Sequence, residues 1–201
     1  MNAVVSTSPD YFHALYADDD PFGYRHRWYE ARKRALLLAS LPAETYDAGW
    51  EIGCSNGELT AALAERCRSV LATDLDPRAV ELARARTAAC AGVHVEAMRH
   101  PQQWPKDTFD LIVLSEVGYY LAPDALDTLL TRLPASLREA GVFVACHWLH
   151  PFDEAPQHGR QVHAAIAQAL GAPAFRYEDT DLLLEGWPVS PHSVAQREAL
   201  R

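Results

Sequence analysis

Long apolar runs are missing from this chain. A stretch such as Leu111-Ile112-Val113-Leu114 falls far short of the roughly 20 residues that a spanning helix needs. Residues Met1 to Pro9 show neither a basic start nor an apolar centre, so no secretory leader is expected. Cysteine is scarce, and Cys54, Cys67, Cys90 and Cys146 form no C-x-x-C pair. That pattern predicts reduced thiols and a cytoplasmic location. Positive charge is short as well: 18 Lys and Arg face 27 Asp and Glu, for a net charge of −9. A nucleic-acid backbone is therefore a poor partner, because phosphate binding rests on basic side chains.

Several catalytic signatures are absent too. There is no G-x-S-x-G nucleophile elbow. His147, His150, His158 and His163 lie close in sequence, but their spacing suits a metal badly, so no metal is expected. With 49% hydrophobic and 22% charged residues among 201, the composition is that of an ordinary globular chain. Length predicts one domain over 1–201, with 1–42 as an N-terminal helical lid and 43–201 as the core.

What is present centres on Trp50-Glu51-Ile52-Gly53-Cys54-Ser55-Asn56-Gly57, followed by Thr73-Asp74-Leu75-Asp76. The first piece reads as a buried strand turning sharply into a helix, with glycines that let the backbone approach a ligand. Asp74 lies seventeen residues past Gly57, at the next strand's end, placed to accept hydrogen bonds from a ribose diol. A dinucleotide site would need G-x-G-x-x-G. Counting from Gly53, those positions hold Ser55 and Glu58, and a carboxylate there repels a diphosphate. The remaining E-x-G-x-S-x-G suits a zwitterionic amino-acid tail and a sulfonium. It resembles motif I of class I methyltransferases, with Ser55 in place of the middle glycine. Glu51, Gly53, Cys54, Ser55, Gly57 and Asp74 are thus the predicted cofactor-binding residues, and S-adenosylmethionine the predicted cofactor.

Around this motif, strands and helices alternate. Met1 to Asp10 reads as a loose tail, and a helix is predicted from Arg25 to Leu41. Strands are expected at 48–53, 69–74, 93–97, 109–115 and 142–147, with helices at 58–66, 77–90, 123–138 and 159–170. Strands near 174–178 and 182–187 add an antiparallel hairpin. This predicts an α/β fold with a doubly wound, mostly parallel seven-stranded sheet. In such a sheet the ligand sits beyond the carboxyl ends of the strands. Leu75 there either faces adenine or packs in the core. Met98 either lies on adenine with its N–H toward a ring nitrogen or is plain core. Glu116, also counted among the cofactor-binding residues, either orients an acceptor amine and draws off its proton or bonds helix amides. Tyr119 can position an acceptor, and His147 can take a proton near neutral pH. On the N-terminal helix Trp28 and Arg32 share a face. They either close over the cofactor, with Arg32 on its carboxylate, or form a solvated basic face with Trp28 in the core.

The runs R-H-R-W-Y-E-A-R-K-R-A-L-L-L-A-S-L-P, W-E-I-G-C-S-N-G-E-L-T and F-D-L-I-V-L-S-E-V-G-Y-Y-L resemble the NodS family of nodulation N-methyltransferases over roughly residues 10–145. The resemblance implies a Rossmann-like methyltransferase fold and S-adenosylmethionine as donor. It implies an amine acceptor, on a small molecule or an oligosaccharide such as the partly deacetylated chitin that NodS methylates. The acidic side chain that the family usually offers after the third strand is absent from Ala97-Met98-Arg99. Two other functions stay open: a small-molecule O-methyltransferase, and a cofactor-binding module without catalysis. Monomer and homodimer are both compatible with the sequence.

Overall fold

A computed structural model describes residues 4–190 and 192–200; part of the predicted tail, residues 1–3, lies outside them. Seven strands form one sheet in the order β3-β2-β1-β4-β5-β7-β6. They are β1 (Tyr46–Ile52), β2 (Cys67–Asp74), β3 (Val93–Ala97), β4 (Phe109–Ser115), β5 (Leu137–Trp148), β6 (Phe175–Glu178) and β7 (Leu182–Pro188). The first five pair in parallel, and β7 runs antiparallel to both β5 and β6. The doubly wound sheet is as the sequence predicts. The hairpin is inserted differently from a simple edge: β7 sits against β5, and β6 forms the border.

Strand β4 explains why a continuous apolar run was needed. Ile112 and Leu114 face one side, packing with Trp50, Phe143 and the leucines 126, 129, 130 and 133 of α5 (Pro123–Ser136). Leu111 and Val113 face the other, packing with Val142, Val144, Leu63 of α3 (Glu58–Ala64) and Leu37 of α2 (Trp28–Ser40). Helices cover both faces, so alternation disappears from the sequence. Each such side chain contributes roughly 1.5–3 kcal/mol by leaving water. The remaining helices are α1 (Pro9–Leu15), α4 (Pro77–Arg86), α6 (Gly159–Leu170) and α7 (Val194–Arg197), with a 3-10 turn at Gly118–Tyr120. Among the described residues no helix is long and apolar enough to cross a membrane.

Helix ends differ from expectation for local reasons. The tail predicted over 1–10 already turns helical at Pro9, where Ser8 caps α1 by accepting from the Tyr11 amide and Pro9 occupies the first turn. A Ser-Pro pair is a helix-start signal. Helix α2 starts at Trp28 instead of Arg25, because Asp20 accepts hydrogen bonds from the Tyr24 and Arg25 amides and holds that stretch as a turn. Asp76 caps α4 through the Arg78 and Ala79 amides, as the Asp-Pro sequence predicts. That helix stops at Arg86, short of Cys90, with Thr87 as its C-cap.

Candidate active site

The carboxyl ends of β1, β2 and β4 open into a cavity of about 580 Å³, within the range of small-molecule sites. Its floor is the turn after β1. Gly53 (φ +80°) passes so close to the next strand's loop that a Cβ there would stand 2.2 Å from Val117 Cγ2. Only glycine fits that position. Ser55 takes φ +49°, which shows why its place usually holds glycine. Its hydroxyl accepts from Tyr16 Oη at 2.8 Å, so a segment from outside the core ties down the substituted position. Tyr16 was invisible to motif reading.

Asp74 closes the turn from the β2 side. Its Oδ2 accepts from the Ser55 amide at 2.8 Å and its Oδ1 from the Asp76 amide at 3.0 Å. Burial raises its pKa to about 6, against the pull of these two amides. Gly53, Ser55, Asp74, Leu75 and Met98 all line the cavity. Met98 can pack on a ring, but its backbone N–H already donates to the Asp74 carbonyl at 2.8 Å. The predicted bond from that amide to adenine is therefore corrected. Glu51 and Cys54 lie behind the turn, on a smaller cavity of about 30 Å³. Glu51 accepts from Thr60 Oγ1 at 2.5 Å, and burial raises it to about 8. Burial likewise pushes the Cys54 thiol well up. Gly57 (φ +82°) N-caps α3.

Past β4, Glu116 sits in left-handed backbone (φ +61°), which is uncommon for a side chain with a Cβ. Three donors hold it: Lys33 Nζ at 2.9 Å on Oε1, and Tyr119 Oη at 2.5 Å and the Trp148 amide at 3.0 Å on Oε2. Burial and the Glu116 carboxylate raise the Tyr119 hydroxyl well above its usual range. Lys33 is only 4% exposed. Burial alone would lower it, but Glu116 and Glu30 outweigh that and hold it above its usual value. Lys33 Nζ also stands 2.9 Å from Glu30 Oε2 as an ion pair, and this oxygen has no hydrogen-bond partner beyond that contact among the described residues. Glu30 is 6% exposed, lines the cavity, and is raised by burial despite Lys33. The aromatic rings of Tyr24, Tyr29, Tyr119, Tyr120, Trp148 and Phe152 complete this wall.

Three predicted residues stand elsewhere. Trp28 is 77% exposed and is neither in the core nor over the cavity. Arg32 bonds Asp179 Oδ2 and Tyr177 Oη, both at 2.5 Å, so its charge is satisfied on the β6–β7 side. These two do share a helix face, but it is the outer one; Glu30, Lys33 and Leu37 face inward. Arg27 and Arg99 line the cavity, whereas Arg32 does not. His147 is fully buried and does not line the cavity. Its two nitrogens meet the Gly118 amide and His163, and burial holds its pKa well below the usual value. It cannot take a proton from a bound acceptor by direct contact.

Residues 50–143 match the family described as methyltransferase domain. A solved Pseudomonas syringae protein, assigned as a methyltransferase, is 45% identical over 81% of this chain and 99% of its own, with a TM-score of 0.72. The chain belongs to the class I S-adenosylmethionine-dependent methyltransferases. Within that family it resembles NodS. The N-methyltransferase NodS of Bradyrhizobium japonicum, solved with S-adenosyl-L-homocysteine, is 25% identical over 91% of this chain and 98% of its own, at a TM-score of 0.78. Nodulation protein S of Rhizobium tropici is 33% identical over 52% of this chain and 44% of its own length. The chain spans about half the length of curated nodulation relatives that it matches.

Proposed function

We propose that this protein transfers a methyl group from S-adenosylmethionine to an amine of a small molecule or amino sugar. The observation that carries the reading is the Glu30 carboxylate: buried on an aromatic wall, with one oxygen free of directed hydrogen bonds. Such a wall suits an alkylammonium, which ring faces and a carboxylate both attract. The donor occupies the Gly53–Asp74 half, with Asp74 on the ribose hydroxyls. The acceptor nitrogen lies between Glu30 and the Glu116–Tyr119 pair.

An ammonium cannot attack until it loses a proton. Glu30, its acid form favoured by burial, takes that proton and leaves a nitrogen lone pair facing the methyl carbon. The N–C bond forms as the C–S bond breaks, and the electron pair stays on sulfur as the neutral thioether of S-adenosylhomocysteine. The sulfonium is already a good leaving group, so the protein's work is alignment and exclusion of water. Glu116 is neutralised by Lys33, and its part is to hold Tyr119 and the wall in place. Burial makes Glu30 more basic than a free carboxylate, and an ammonium gives up its proton far more readily than an alcohol, which favours nitrogen over oxygen.

Glu30→Gln keeps shape and removes the base. It should lower kcat/KM for glucosamine by about 100-fold, within the usual range for a positioned acid or base. S-adenosylhomocysteine affinity measured by calorimetry should stay within about twofold, since no donor contact is lost. Unchanged turnover in Glu30→Gln would remove Glu30 from the mechanism.

A further inference from the structure

Behind the acceptor wall, three buried side chains and a half-exposed arginine form a line that no step above uses. His147 on β5, His163 on α6, Glu185 on β7 and Arg176 on β6 run from the cavity loop to the surface. Gly118 N–H lies 3.0 Å from His147 Nε2. His147 Nδ1 lies 3.1 Å from His163 Nε2, and His163 Nδ1 lies 2.7 Å from Glu185 Oε2. Arg176 Nη1 donates to Glu185 Oε1 at 2.6 Å. Glu185 stands directly across the ladder from Arg176, and in the β5–β7 register on the same face as His147. His147, His163 and Glu185 are at most 2% exposed.

The proton positions follow from one end. A backbone N–H only donates, so His147 Nε2 is a bare lone pair and the ring's proton sits on Nδ1. His163 Nε2 must then accept, which puts the His163 proton on Nδ1, facing the Glu185 carboxylate. The three bonds from the Gly118 amide to Glu185 all point the same way, and Arg176 donates to Glu185 from the other end. The close fit excludes alternatives: a Cβ at Gly118 would stand 2.9 Å from His147 Nε2 and 2.5 Å from Val162 Cγ1.

We propose that His163 and Glu185 are positioning residues that act through His147 to hold the 116–120 loop, and with it Glu116 and Tyr119, ready for the acceptor. The inference rests on that loop forming the acceptor wall. Holding matters here because Glu116 is in left-handed backbone, a conformation that persists only when its surroundings fix it. The Tyr119 ring, packed edge-on to His147 at 5.4 Å between centroids, limits ring rotation.

The test uses the whole protein. Nitrogen-15 spectra of the wild-type histidines should show both His147 and His163 carrying their proton on Nδ1 at neutral pH. A proton on Nε2 of His147 would overturn the assignment, whatever the activity. In parallel, His163→Gln can accept from His147 and donate to Glu185. It should keep kcat within about threefold, whereas His163→Leu should lose about tenfold in kcat at neutral pH, the worth of one buried hydrogen bond. Affinity for S-adenosylhomocysteine should be unchanged in both, which separates this outcome from a failed donor site. Equal kinetics in the Gln and Leu variants would refute the positioning role.

Discussion

Asp74→Ala should weaken S-adenosylhomocysteine binding by about 100-fold, because hydrogen bonds to a charged acceptor are worth about 1.5–3 kcal/mol each. Two effects combine. The ribose loses its acceptor, and the Ser55 and Asp76 amides, which Asp74 now satisfies, are left buried and unpaired. The same carboxylate predicts a pH dependence with a definite sign. Its pKa is raised to about 6, so the free protein takes up a proton there as pH falls. If the ionised form binds the diol, affinity is full above pH 7 and weakens by about tenfold at pH 5, where roughly one molecule in ten remains ionised. Asp74→Asn should bind weakly and without that pH dependence. Calorimetry across pH 5–8 on the three proteins reads both effects, and wild-type affinity in Asp74→Ala would sink the ribose assignment.

Glu116→Ala should be the most destabilising change in the site. It strips Lys33 of the carboxylate to which it donates at 2.9 Å, and it orphans the Tyr119 hydroxyl and the Trp148 amide. Breaking a buried pair from one side costs about 3–5 kcal/mol. Glu30 remains 2.9 Å from the ammonium, so the lower end, about 3 kcal/mol, is expected, or a fall in Tm of about 6–12 °C for a chain of this size. Both Glu and Ala carry a Cβ, so the left-handed backbone penalty cancels in the comparison. A thermal melt of Glu116→Ala within 2 °C of wild type would contradict the ion-pair account.

The residues that were legible in the sequence share a physical trait: their neighbours in sequence are also their neighbours in the site. Gly53 to Gly57 and Asp74 end adjacent parallel strands, and their backbone demands are written in residue type. The lid was different. Trp28 and Arg32 share a helix face, as their spacing says, but spacing does not say which face turns inward. A rule that sends aromatics inward and charges outward fails here. The inward face carries Glu30 and Lys33, whose partner Glu116 lies 83 residues away from Lys33. An i, i+3 Glu–Lys pair reads as an ordinary surface pair. His147 misled for a similar reason. At a strand end its side chain can turn toward the cavity or away from it, and only the helix bearing His163 decides.

Initial rates of labelled methyl transfer from S-adenosylmethionine to glucosamine and to N-acetylglucosamine, measured side by side with the wild-type protein, test the central claim most directly. The two acceptors share every hydroxyl and differ in the acetyl group, which ties up the nitrogen lone pair. The account predicts label on glucosamine, on its nitrogen, and none on the acetylated sugar. Equal labelling of both, which places the methyl on oxygen, would contradict it.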